Sequence, residues 1–129
     1  MSGIATNREL GEQITRAIGA HGHWKARLRS AADAGLSELD PATVRRDDVC
    51  EFGVWLHRTL EPAERASSSY VLVRDLHARF HAEAAKVVDH VAGGRRDAAN
   101  AALEAGSPFS EVSGELTRAM MAWKSSVGA

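Results

Sequence analysis

His77 and His81 stand four residues apart in the stretch Asp75-Leu76-His77-Ala78-Arg79-Phe80-His81. In a helix that spacing sends both side chains from one face, one turn apart, so the two imidazoles form a bidentate grip for a metal ion. The single cysteine, Cys50, and a further histidine, His21, lie in two other segments whose apolar patterns turn them inward. Three imidazoles and a thiolate are a donor set suited to tetrahedral zinc, whereas calcium and magnesium call for oxygen ligands. Taken singly, each residue has a packing explanation, since histidine is intermediate in burial and a free cysteine behaves as a small hydrophobe. The His77/His81 pair by itself also fits a solvated helix face. Together they point to a metal, because burying four such groups without an ion leaves several polar atoms short of partners at about 1–3 kcal/mol each.

The elements that must position these residues read as helices. Leu10, Ile14, Ala17, Ile18, His21, Trp24 and Leu28 recur at threes and fours and predict a helix over about residues 4–34, stopped by Gly35. A connector over Leu36 to Asp40 follows, and Asp40-Pro41 offers an N-cap with proline at the first helical position. A second helix is expected over about residues 47–60, with Val49, Phe52, Gly53, Leu56 and Leu60 near one face and Pro62 at its end. Cys50 then sits one turn from a helix start, where the partial positive charge favours a thiolate. Past Ser67-Ser68-Ser69, the residues Val73, Leu76, His77, Phe80, His81, Ala84, Val88 and Val91 mark the longest clean stripe, closed by Gly93-Gly94. A short helix over about residues 98–105 precedes the break Gly106-Ser107-Pro108. Phe109, Val112, Leu116, Met120 and Trp123 then form a bundle seam. The expected architecture is all-α, a four-helix up-down bundle with an additional short helix.

With 129 residues the chain is expected to be one domain over its whole length, residues 1–129, large enough to hold a core without staples. Sixteen basic and seventeen acidic residues give a formal charge of −1 with no long block of either sign, a poor match to nucleic acid or to an anionic membrane. The first residues lack the apolar core of a secretory signal and no stretch approaches about 18 apolar residues, which places the chain in the cytoplasm. There a lone cysteine is free to be a ligand.

Three blocks, Ala20-His21-Gly22-His23-Trp24-Lys25, Cys50-Glu51-Phe52-Gly53-Val54-Trp55-Leu56 and His77-Ala78-Arg79-Phe80-His81, closely resemble the bacterial chemoreceptor zinc-binding domain across nearly the whole chain. The resemblance implies a homodimeric helical bundle in which each subunit holds one zinc through the matching His21, Cys50, His77 and His81. It also implies a regulatory role in bacterial signal transduction, chemotaxis or cyclic-di-GMP signalling, reporting zinc or an oxidant through the ligand cysteine. Neither a receptor signalling hairpin nor a cyclase domain is present in these residues, so the expected output passes to a signalling partner in trans or belongs to a removed segment. A structural zinc in a dimerisation module without sensing is the alternative.

Flanking residues have expected roles too. Gly53 either lets a neighbouring helix backbone approach beside the thiolate or is a plain packing glycine. Trp24 and Trp55 either wall the site or belong to the core. His23, His57 and His90 are expected in solvent. His57-x-x-x-Glu61 beside His77-x-x-x-His81 hints at a hemerythrin-like di-iron carrier, but the segment from Pro108 to Ser125 supplies neither histidine nor aspartate for it. Four protein ligands close the coordination sphere, and no phosphate loop or His-Glu-x-x-His is present, so the chain is expected not to be an enzyme.

Overall fold

The computed structural model describes residues 7–35, 39–48, 50–60 and 62–128. The expected roles of Ile4, Leu36, Val49 and Glu61 fall outside them. Three long helices dominate: α1 (Asn7–Ala34), α5 (Ser68–Ala92) and α7 (Pro108–Gly128). Between α1 and α5 lie α2 (Pro41–Arg45), α3 (Glu51–Val54) running directly into a π-helical turn (Trp55–Thr59), and α4 (Pro62–Arg65); α6 (Arg96–Ala102) links α5 to α7. The described residues contain no strand, and the fold is all-α as expected.

The directions of these elements follow from which residues meet. Phe80 packs on Phe109 and Tyr70 on Trp123, so α5 and α7 are antiparallel. His21 meets Ser113 and Gly11 lies beside Val127, so α1 and α7 are antiparallel as well. The segment from α2 to the π turn runs back along α5, with Arg45 at Asp89, Val44 at His81, Cys50 at His77 and Leu56 at Tyr70. The second principal helix expected over residues 47–60 is therefore a broken leg. Its first part is the short α2 upstream, and its regular part starts only at Cys50.

Local chemistry accounts for the boundaries. Asp40 caps α2 by accepting the Thr43 N–H at 3.2 Å, with Pro41 at the first position as expected. Ser67 caps α5 by accepting the Tyr70 N–H at 3.1 Å, so α5 begins within the serine run rather than after it. Gly35 ends α1 at a φ of 70°, a conformation that a side chain would resist. The core forms where the stripes of α1, α5 and α7 face one another, with Ile14, Leu28, Val73, Phe80, Leu116 and Met120 almost fully buried. Phe109, Val112, Leu116, Met120 and Trp123 are all buried, so the seam read in α7 is the core-facing stripe.

The π turn is tied to another helix. Leu60 N–H donates to the carbonyl of Trp55, five residues back, which leaves the Leu56 carbonyl without its ordinary helical donor. The buried Tyr70 hydroxyl fills that position by donating to Leu56 O at 2.9 Å. The wider turn places Trp55 and Leu56 both inside, Trp55 packed between Phe52 and Trp123.

Candidate metal centre

His77 and His81 leave α5 toward the broken leg and are both buried. Their Nε2 atoms stand 3.1 Å apart, and the Sγ of Cys50 lies 3.5 Å from the first and 3.6 Å from the second. A tetrahedral zinc with bonds of about 2.3 Å to sulfur and about 2.0–2.1 Å to nitrogen separates its ligands by about 3.5 Å for S···N and about 3.4 Å for N···N. The triangle of donor atoms matches these edges closely. Among the described residues, Cys50, His77 and His81 are the group of metal-ligating side chains drawn together within 4.8 Å.

Protonation suits an ion as well. The Nδ1–H of His81 donates to the Val44 carbonyl at 2.8 Å, which leaves Nε2 as a bare lone pair facing the cluster. Burial, then the neighbouring His81, lowers the pKa of His77 to about 3; burial also lowers that of His81. Both rings are thus neutral near neutral pH, the form that can ligate a metal. The buried Nδ1 of His77 has no hydrogen-bond partner.

Cys50 is the N-cap of α3, and its Sγ accepts the Gly53 N–H at 3.3 Å. It stands at the helix start itself rather than one turn inside it, and a thiolate is not favoured there without a metal. Burial pushes the thiol pKa up, more strongly than the N–H groups of Gly53 and Phe52 pull it down. A cation held by Cys50, His77 and His81 would reverse that balance and favour the thiolate.

His21 lines the same cavity of about 140 Å³ as the three clustered residues, together with Trp24, Phe52 and Phe80. Neither of its ring nitrogens joins the cluster. Its Nε2 instead pairs with the hydroxyl of Ser113 on α7 at 2.9 Å, and its ring rests on Phe80 with centroids 4.4 Å apart. Burial, then the nearby Lys25, lowers its pKa to about 4.

The flanking residues depart in part from expectation. Trp24 walls the site, its ring meeting His81 edge-on at 5.8 Å, whereas Trp55 belongs to the core and Phe52 takes the other wall, 5.1 Å from His77. Gly53 does allow a close backbone approach, but by the preceding loop and not by a neighbouring helix: a Cβ there would overlap the Asp47 carbonyl oxygen. His57 is half-buried and pairs with the Asp47 carboxylate at 3.2 Å rather than standing free in solvent. His90 accepts from Arg95 at 3.2 Å, while His23 is exposed as expected.

The sequence reading missed two residues of the site. Ser113 had a signal, because it stands four after Phe109 and three before Leu116, in the buried register of α7. Val44 acts through its backbone carbonyl, which residue type does not reveal.

A sequence model of the chemoreceptor zinc-binding domain family matches residues 21–88, just over half of the chain. The chain belongs to that family. No curated protein and no solved structure matches it. The match spans His21, Cys50, His77 and His81. Zinc is accordingly the cofactor of this chemoreceptor zinc-binding domain, and the clustered sulfur and imidazole donors fit it. Among the described residues no helix is long and apolar enough to cross a membrane.

Proposed function

We propose that this chemoreceptor zinc-binding domain is a regulatory module of bacterial signal transduction, in chemotaxis or cyclic-di-GMP signalling, with Cys50, His77, His81 and His21 as its zinc ligands. The observation that carries the reading is the convergence of one sulfur and two imidazole nitrogens from two separate elements on tetrahedral spacing. His21 extends the set because its imidazole lines the same cavity from a third element. When bound, zinc supplies a cross-link among α1, the broken leg and α5 and stabilises the Cys50 thiolate.

The residues divide the labour. His77 and His81 hold the ion from a long helix, with Val44 fixing the ring of His81. Cys50 sits at the head of a short helix, so protonation, oxidation or withdrawal of its sulfur loosens that leg while the histidines keep the ion. The module works as a single-domain cytoplasmic homodimer that passes its state to a signalling partner. It has no catalysis of its own, since four protein ligands leave no open position for substrate.

Metal analysis with chelator competition tests the assignment. Cys50→Ala is expected to retain measurable zinc at an affinity lowered by more than the about 10–100-fold that loss of an outer-shell partner costs. His77→Ala combined with His81→Ala is expected to lose it. Equal retention in all variants would discard the site. Stripping zinc from the unsubstituted chain decides the role: a folded dimer with altered packing supports sensing, and an unfolded chain makes the zinc structural.

A further inference from the structure

Besides the aromatic Tyr70, Trp55 and Trp123, four residues of polar type are buried among the described residues: His21, His77, His81 and Ser113. The first three belong to the proposed zinc site. Ser113 is 1% exposed, on the apolar face of α7, with Val112, Leu116 and Met120 around it. A hydroxyl in that setting costs stability unless it is hydrogen-bonded, and its partner is the Nε2 of His21.

An imidazole nitrogen has one in-plane bonding direction, so Nε2 of His21 cannot pair with Ser113 and bind an ion at the same time. We infer that Ser113 is the resting partner of His21, a positioning residue whose hydroxyl competes with zinc for that imidazole, so that completing the four-ligand site breaks the His21–Ser113 hydrogen bond between α1 and α7. The inference rests on His21 being the fourth ligand. Geometry supports the exchange. The cluster of Cys50, His77 and His81 is already assembled without His21, and the His21 ring borders the same cavity. Once left, the Ser113 hydroxyl has a ready alternative in the carbonyl one turn back, the mode by which Thr117 already bonds the Ser113 carbonyl at 3.0 Å. The two positions of His21 therefore each keep the buried polar groups satisfied.

The test is a chelator-competition titration of the full chain, with thermal unfolding of the zinc-free form. Ser113→Ala is expected to bind zinc about two- to tenfold more tightly, because the competing hydrogen bond is gone, while its zinc-free form melts lower. In a His21→Ala background the same substitution is expected to leave affinity unchanged. Unaltered affinity in Ser113→Ala alone overturns the competition. Weaker binding also overturns it, since it means that the hydroxyl supports a His21 ring ligating through its other nitrogen. If His21→Ala binds zinc as well as the parent, the four-ligand reading itself fails, a result separate from either of these. Imidazole nitrogen NMR of the unsubstituted chain provides a measurement independent of variant folding. Zinc is expected to move His21 Nε2 from a hydrogen-bonded to a metal-bound signal, and an unchanged signal with zinc saturating refutes the exchange.

Discussion

The two sides of the metal cluster are built differently. His77 and His81 project from the middle of α5, a 25-residue helix with a capped start, and both are buried. Cys50 heads a four-residue helix that changes to a π turn within one turn of the chain, and it is only half-buried. One side is a fixed mount; the other is a shorter arm, anchored at its far end by the buried Trp55, Leu56 and Leu60 and held around the sulfur by a few specific ties. These are the Gly53 N–H on the cysteine sulfur, the Asp47–His57 pair, the close contact of Gly53 with the Asp47 backbone and the Tyr70 hydroxyl on the π turn. Elements with few ties open at lower free energy than the helices they rest on. A change at the sulfur therefore has a segment to move, whereas a change at either α5 histidine acts on the core.

The comparison breaks most strongly under acid, because the fixed side stores its histidines neutral. The pKa of His77 is lowered from 6.5 to about 3 and that of His21 to about 4, chiefly by burial. In zinc-free protein the unfolded chain takes up protons first as pH falls below 6.5, so stability is undiminished above that value and declines below it. The decline is about 1.4 kcal/mol per pH unit for each histidine and ends near the folded pKa, about 3 kcal/mol in all for His21 and more for His77. Urea unfolding of the chelated protein between pH 7 and pH 4 is expected to show this steep loss. A flat profile would mean that the histidines are not held neutral and that the mount is as loose as the arm.

The arm is attacked directly by Gly53→Ala. Because the added Cβ would overlap the Asp47 carbonyl, the loop before Cys50 must shift, and overpacking at the upper end of about 1–3 kcal/mol outweighs the about 1 kcal/mol that the helix propensity of alanine returns, a net loss of about 1–2 kcal/mol. Zinc affinity is expected to fall with it, while the α1, α5 and α7 packing, followed by amide exchange, stays near that of the parent. Loss of protection throughout α5 would show that arm and mount are one cooperative unit.

Most of the fixed side was legible in the sequence. Apolar residues every three and four positions mark α1, α5 and α7, and the same periodicity places His77 and His81 inward. The broken leg was not legible, because Gly53, Leu56 and Leu60 keep a helical spacing through the region where the backbone changes from α to π. At that change a hydroxyl from another helix takes the Leu56 carbonyl, and beside Cys50 the Asp47 backbone closes on Gly53. Both are tertiary facts with no periodic signature. His21 in its inward stripe and Ser113 in the buried register of α7 were each readable, whereas their pairing across 92 residues was not.

Tyr70→Phe gives the smallest effect and the sharpest one, because Tyr70 belongs to the mount and its hydroxyl reaches the arm. The side chain is buried, and its ring keeps packing on Trp123 when the oxygen is removed. Only the bond to the Leu56 carbonyl is lost, a cost of about 1 kcal/mol. If that bond holds the π register, the freed carbonyl recovers its ordinary partner, the Leu60 N–H, and the leg shortens its turn by one residue. Cys50 then sits on a leg with a different register from the one that brings its sulfur to His77 and His81. Zinc affinity is expected to fall more than the stability of the zinc-free form, and amide exchange at Leu60 to change more than at any residue of α5. Equal small losses in affinity and stability, with Leu60 unaltered, would show that the π turn is fixed by the packing of Trp55 and Leu56 and that the hydroxyl merely satisfies a carbonyl already exposed.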